Sequence, residues 1–127
     1  MPDTPLTPEL FQNVFSALQA YVESHYGAGE AAYFFQQSRE KVRPYFPHVD
    51  QFEMNEDGTL VVKESAPDER ALLAFAAWMQ QFMKEIQQEI IGLPLPDIET
   101  LTEDYKTALE SSGFYEFFRQ AEELEFE

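Results

Sequence analysis

Residues 65–92 read SAPDERALLAFAAWMQQFMKEIQQEIIG, and the spacing of their apolar side chains decides the fold. Leu72, Phe75, Ala76, Met79, Phe82, Met83, Ile86 and Ile90 recur at steps of three and four, which places them on one side of a helix. Ala71, Ala74 and Trp78 widen that face over its first half. Ser65 is a candidate N-cap, Pro67 suits the first turn, and Asp68 can face back toward the cap. Gly92 is a natural stop. The helix should run to about Ile91 and span roughly 36 Å at ~1.5 Å per residue. A helix this long and this apolar has to be the centre of the molecule.

Working outward toward the N-terminus, Thr7-Pro8-Glu9 reads as a cap, a proline at the first helical position and an acid in the first turn. Leu10, Phe11, Val14, Phe15, Leu18, Tyr21 and Val22 follow at helical spacing, and Gly27 is a candidate stop. A second helix should begin near Ala28 or Gly29, bury Ala31, Phe34, Phe35, Ser38 and Val42, and end before Pro44. The short connection predicts a helical hairpin. Phe52 and Met54, then Leu60 and Val62, alternate with polar residues around Asn55-Glu56-Asp57-Gly58, which predicts a β-hairpin. Two strands alone are marginal in water, so this hairpin must lie on a helix or pair with another.

Toward the C-terminus, Leu93-Pro94-Leu95-Pro96 predicts an extended linker over 93–97. Thr102-Glu103-Asp104 should cap a short helix carrying Tyr105, Ala108 and Leu109. Gly113 breaks it, and Phe114, Phe117, Phe118, Ala121 and Leu124 form the stripe of a last helix. The expected fold is therefore α+β, mostly α. It comprises a helical hairpin, one β-hairpin, one long central helix and two short C-terminal helices in a single domain over 1–127, with residues 1–6 frayed.

Composition bounds the function. Asp and Glu number 24 against 8 Lys and Arg, a net charge of −16. Such a chain repels nucleic-acid phosphates and anionic membranes, so neither is an expected partner. With no cysteine, disulfides, thiolate metal sites and cysteine nucleophiles are excluded. The opening residues lack the basic and apolar regions of a signal peptide, and the longest apolar run, Ala71 to Met79, falls far short of the ~20 residues of a membrane span. A cytoplasmic location is expected. His25 and His48 lack the spacing that puts two metal ligands on one helix face, Gly27-Ala28-Gly29 follows a helix rather than a strand, and no serine sits in a nucleophile elbow. No catalytic residue, cofactor or metal is assigned. Carboxylates such as Glu85 and Glu89 read as a solvated face.

The aromatic residues carry the positive argument. Twelve Phe, six Tyr and one Trp exceed what one helix neighbour would cover. Several helix neighbours closing on one another in a single chain would absorb this surplus; otherwise Leu72, Phe75, Trp78, Met79, Phe82, Ile86, Phe114, Phe117 and Phe118 are candidates for a subunit interface or an apolar pocket. The expectation is a non-enzymatic interaction or adaptor module that forms a homo-oligomer or binds another protein. The alternatives are an acidic mimic of nucleic acid that occupies a basic protein, and a sensor for an apolar ligand near Trp78. Arg39, Lys41 and Arg43 form a basic patch, the expected dock for the acidic C-terminal segment.

Overall fold

The computed structural model describes residues 7–26, 30–55, 59–63, 67–89 and 97–123. Helices α1 (Pro8–Tyr26) and α2 (Glu30–Val42) form the N-terminal half. Thr7 caps α1, with its Oγ1 accepting from Leu10 N–H at 3.4 Å. Helix α2 buries Ala31, Phe34, Phe35, Ser38 and Val42, the set its periodicity predicts. The expected stops and starts at Gly27, Ala28 and Gly29 lie outside the described residues.

A 3₁₀ turn, Pro47–Gln51, follows α2 and leads into strand β1 (Phe52–Met54), which pairs antiparallel with β2 (Leu60–Val62). The sequence does not announce this turn, because its burial rests on Val49 alone and shows no period. The hairpin lies on helix, as its marginal size requires: Phe52 and Leu60 are buried in the core, and Gln12 Nε2 of α1 donates to Leu60 O at 2.9 Å.

Helix α3 (Glu69–Glu89) is the central element. Asp68 caps it: Asp68 Oδ1 accepts from Ala71 N–H at 3.0 Å, and regular helix begins at Glu69. At 21 residues it spans roughly 32 Å. Ser65, Ile90 and the linker prolines lie outside the described residues. Helix α3 is buried on nearly every side between Ala71 and Ile86, including Gln80, Gln81 and Glu85.

The C-terminal segment folds as α4 (Ile98–Leu101), a 3₁₀ turn (Glu103–Tyr105), α5 (Lys106–Ser112) and α6 (Phe114–Ala121). Residues 98–101 thus form a helical turn of their own, capped by Asp97, whose Oδ1 accepts from Thr100 N–H at 2.9 Å. Gly113 adopts φ 90°, the left-handed conformation that separates α5 from α6 without a Cβ penalty. One large core cluster draws on helices α1 to α6 and both strands, while Val42, Ala77 and Ala121 form a small second cluster.

Candidate interaction surface

The candidate interface residues of α3 lie inside a single chain. Leu72, Phe75, Trp78, Met79, Phe82 and Ile86 are each at most 1% exposed. Phe114 and Phe118 are also buried, and Phe117 is half-buried. Trp78 shows how the surplus is absorbed. Phe15, Phe35, Phe52 and Phe75 each place a ring centroid 5.8–6.2 Å from its indole. Its Nε1–H donates to Phe35 O at 2.9 Å and to Ser38 Oγ at 3.1 Å. Phe35 also stacks on Phe82 with centroids 3.8 Å apart. The two widened helix faces therefore cover each other. Among the described residues, the large apolar side chains left exposed are Tyr33, Tyr45 and Val61.

The basic patch is likewise spent internally, which corrects the expected dock. Arg39 Nε donates to Phe52 O at 3.0 Å, and its guanidinium lies 3.7 Å from Asp50. Arg43 meets the same Asp50 carboxylate at 2.9 Å. Together they clamp the 3₁₀ turn and β1 to α2. Lys41 turns the other way, to Glu85 on α3 at 3.2 Å. Glu85 is not a solvated carboxylate as the sequence suggested: it is buried, and its Oε2 has no hydrogen-bond partner among the described residues. The acidic C-terminal segment docks along α3 instead. Gln80 Nε2 donates to Phe118 O at 2.8 Å and Lys84 Nζ to Glu122 O at 2.7 Å, while Phe114, Phe118 and Ala121 supply the apolar contact.

Three more bases pair with acids: Lys63 with Glu53, Lys106 with Glu110 and Arg119 with Glu99. Glu9, Glu30, Glu40, Asp68, Glu69, Glu89, Glu103, Asp104 and Glu116 are exposed, and none is in an ion pair among the described residues. The densest acidic stretch is 97–123. There Thr102 Oγ1 donates its only proton to Ile98 O at 2.6 Å, so the Tyr115 hydroxyl donates to Thr102 at 2.7 Å. Burial raises the Tyr115 phenol above its ordinary value, and the nearby carboxylates of Glu99, Glu110 and Asp97 add to the rise. Hydrogen bonds from the Thr100 side chain and then its backbone N–H hold Asp97 below its ordinary value.

Surface recesses lie away from the aromatic core. One of about 430 Å³ separates α2 from β1, lined by Ala32, Gln36, Arg39, Glu40, Glu53, Met54 and Asn55. Another of about 390 Å³ is bordered by Asp97, Glu99, Thr100, Glu103 and Lys106. His25 is exposed, with Nδ1 3.0 Å from both Ser24 Oγ and Tyr21 O, and His48 is exposed in the 3₁₀ turn. Among the described residues no three His, Asp or Glu side chains converge in a way that could hold a metal ion. Nor is any helix among them long and apolar enough to cross a membrane. No protein-family profile matches the chain, and neither the curated proteins nor the solved structures contain a significant match to it.

Proposed function

We propose that this protein is a non-enzymatic interaction module that engages a basic protein surface through its exposed carboxylates, acting in the cytoplasm as an adaptor or regulator. The observation that carries the reading is the division of charge. Six of the eight cations are ion-paired within the chain, and Lys84 is bound to a backbone carbonyl. Among the described residues, nine exposed acids, Glu9, Glu30, Glu40, Asp68, Glu69, Glu89, Glu103, Asp104 and Glu116, are in no ion pair. A field of one sign accelerates encounter with an oppositely charged partner and rejects like-charged ones. Self-association through the α3 stripe loses its surface, since those side chains fill the chain's own core. A sensor pocket beside Trp78 has its space taken by phenylalanine rings.

The test starts from a partner co-purified from the native cell and then expressed alone. It should be basic, and its direct binding should weaken by roughly tenfold or more between low and high salt. Neutralising Asp97, Glu99 and Glu103 together, as Asp97→Asn, Glu99→Gln and Glu103→Gln, should weaken it further. Binding to a neutral partner, indifferent to salt and to these substitutions, would sink the proposal.

A further inference from the structure

We infer that the recess between α2 and β1 is a strand-addition groove, and that its occupant is an extended, lysine- or arginine-bearing segment of a partner protein. The inference rests on the basic-partner reading and deepens it by assigning the contact a place and a backbone geometry.

The hairpin register supplies the first argument. Asn55 N–H donates to Thr59 O and Lys63 N–H to Gln51 O, both at 2.8 Å. Glu53 faces Val61 between these pairs. In an antiparallel pair, alternate residues direct their backbone groups inward and outward. Phe52, Met54, Leu60 and Val62 therefore turn theirs outward. The chain satisfies part of this edge itself: Phe52 N–H donates to Val49 O, Phe52 O accepts from Arg39, and Leu60 O accepts from Gln12. Met54 N–H and C=O have no such partner among the described residues, and Met54 lines the recess. An open donor–acceptor pair on an edge strand is a template for another strand.

The far wall fits the same occupant. Ala32, Gln36, Arg39 and Glu40 lie at i, i+4, i+7 and i+8 along one face of α2. Ala32 is small enough to admit a backbone. From Ala32 to Glu40 the wall runs roughly 12 Å, room for about four extended residues. Arg39 is held by Phe52 O and Asp50, whereas Glu40 stands exposed at the rim with no ion pair among the described residues, and Glu53, exposed beside it, is shared with Lys63 at 2.7 Å. Residues of an added strand alternate sides, so small apolar ones would face the groove and basic ones the rim carboxylates. A second copy of this chain, at −16, would be repelled by that rim.

The probe is a capped peptide of alternating lysine and valine, followed by amide NMR on the whole protein. Its shifts should fall on 32–40 and 53–55, and exchange of the Met54 amide should slow. A version N-methylated on its pairing edge, with the same charge, should bind at least about tenfold more weakly. Ala32→Arg, at an exposed helix position that leaves the fold intact, should abolish the effect, as should Glu40→Lys with Glu53→Lys. Equal binding of the N-methylated peptide, or shifts confined to 97–123, would overturn the groove while leaving the basic-partner reading standing. Absence of any shift would also overturn the groove, and the salt dependence of the co-purified partner would then judge the broader reading separately. Concentration-dependent protection of Met54 without peptide would make the occupant a second copy and overturn the assignment.

Discussion

Trp78 combines four aromatic neighbours with two hydrogen bonds. Its indole fills the space between α2 and α3, and its N–H ties together Phe35 O and Ser38 Oγ. Trp78→Phe keeps an aromatic ring but leaves a void and a weakened polar site, so urea denaturation should show a loss of about 3 kcal/mol. The Lys41–Glu85 pair behaves differently. Removing only the cation with Lys41→Met leaves a buried carboxylate uncompensated and should cost roughly 1–3 kcal/mol, discounted because the ammonium is half in water. Replacing both with methionine should restore wild-type stability or exceed it. A double variant less stable than Lys41→Met alone would show the pair to be stabilising in itself. Neither the burial of Glu85 nor that of Gln80 and Gln81 could be read from the sequence. Polar residues mark a solvated face only when nothing covers it, and here α2 and α6 cover both flanks of α3.

At the scale of elements, local chemistry was legible where it was self-contained. Thr7 caps its helix, Gly113 breaks one, and the apolar stripes of α1 to α3 are buried as spaced, except that Tyr21 is half-buried and Ile90 lies outside the described residues. What depended on distant partners was not legible. The 3₁₀ turn at 47–51 is held through Asp50 by Arg39 of α2 and by Arg43 just beyond it. The groove beside β1 depends on how α2 sits against the hairpin, which no local pattern records. Gly113→Ala should destabilise by about 1 kcal/mol through its φ of 90° alone, since an added Cβ would meet nothing within 4 Å. Differential scanning calorimetry measures this. Helix α4 should be acid-sensitive. Its cap Asp97 has a depressed folded value, so its contribution is present above the ordinary carboxylate range and is lost as pH falls through the folded value. The Thr100 amide shift should follow that titration, and Asp97→Asn should remove it. Tyr115 runs the other way: its raised phenol contributes below the ordinary tyrosine value and loses that contribution as pH rises through the folded one. Its phenolate absorbance should therefore appear later than that of an exposed tyrosine.

For the whole molecule, apolar spacing pointed to the fold class and composition to the excess of acid, while the aromatic surplus left open whether it closed one chain or joined two, and the burial of the α3 stripe places it inside. Faces too wide for one neighbour are what several helices and a hairpin need in order to close on one another. With that surface closed, the recognition we propose rests on charge and on the open edge of β1. Duplex DNA and RNA should not bind at physiological salt, because Arg39, Lys41 and Arg43 are all occupied within the chain. The central claim is that the aromatics are consumed inside one chain. Sedimentation equilibrium at micromolar concentration, in salt of about 0.15 M to screen the charge, tests it most directly. The predicted result is a single species of 14.7 kDa at every concentration. A dimer that persists on dilution and survives high salt would contradict it, because apolar surface would then be joining two chains.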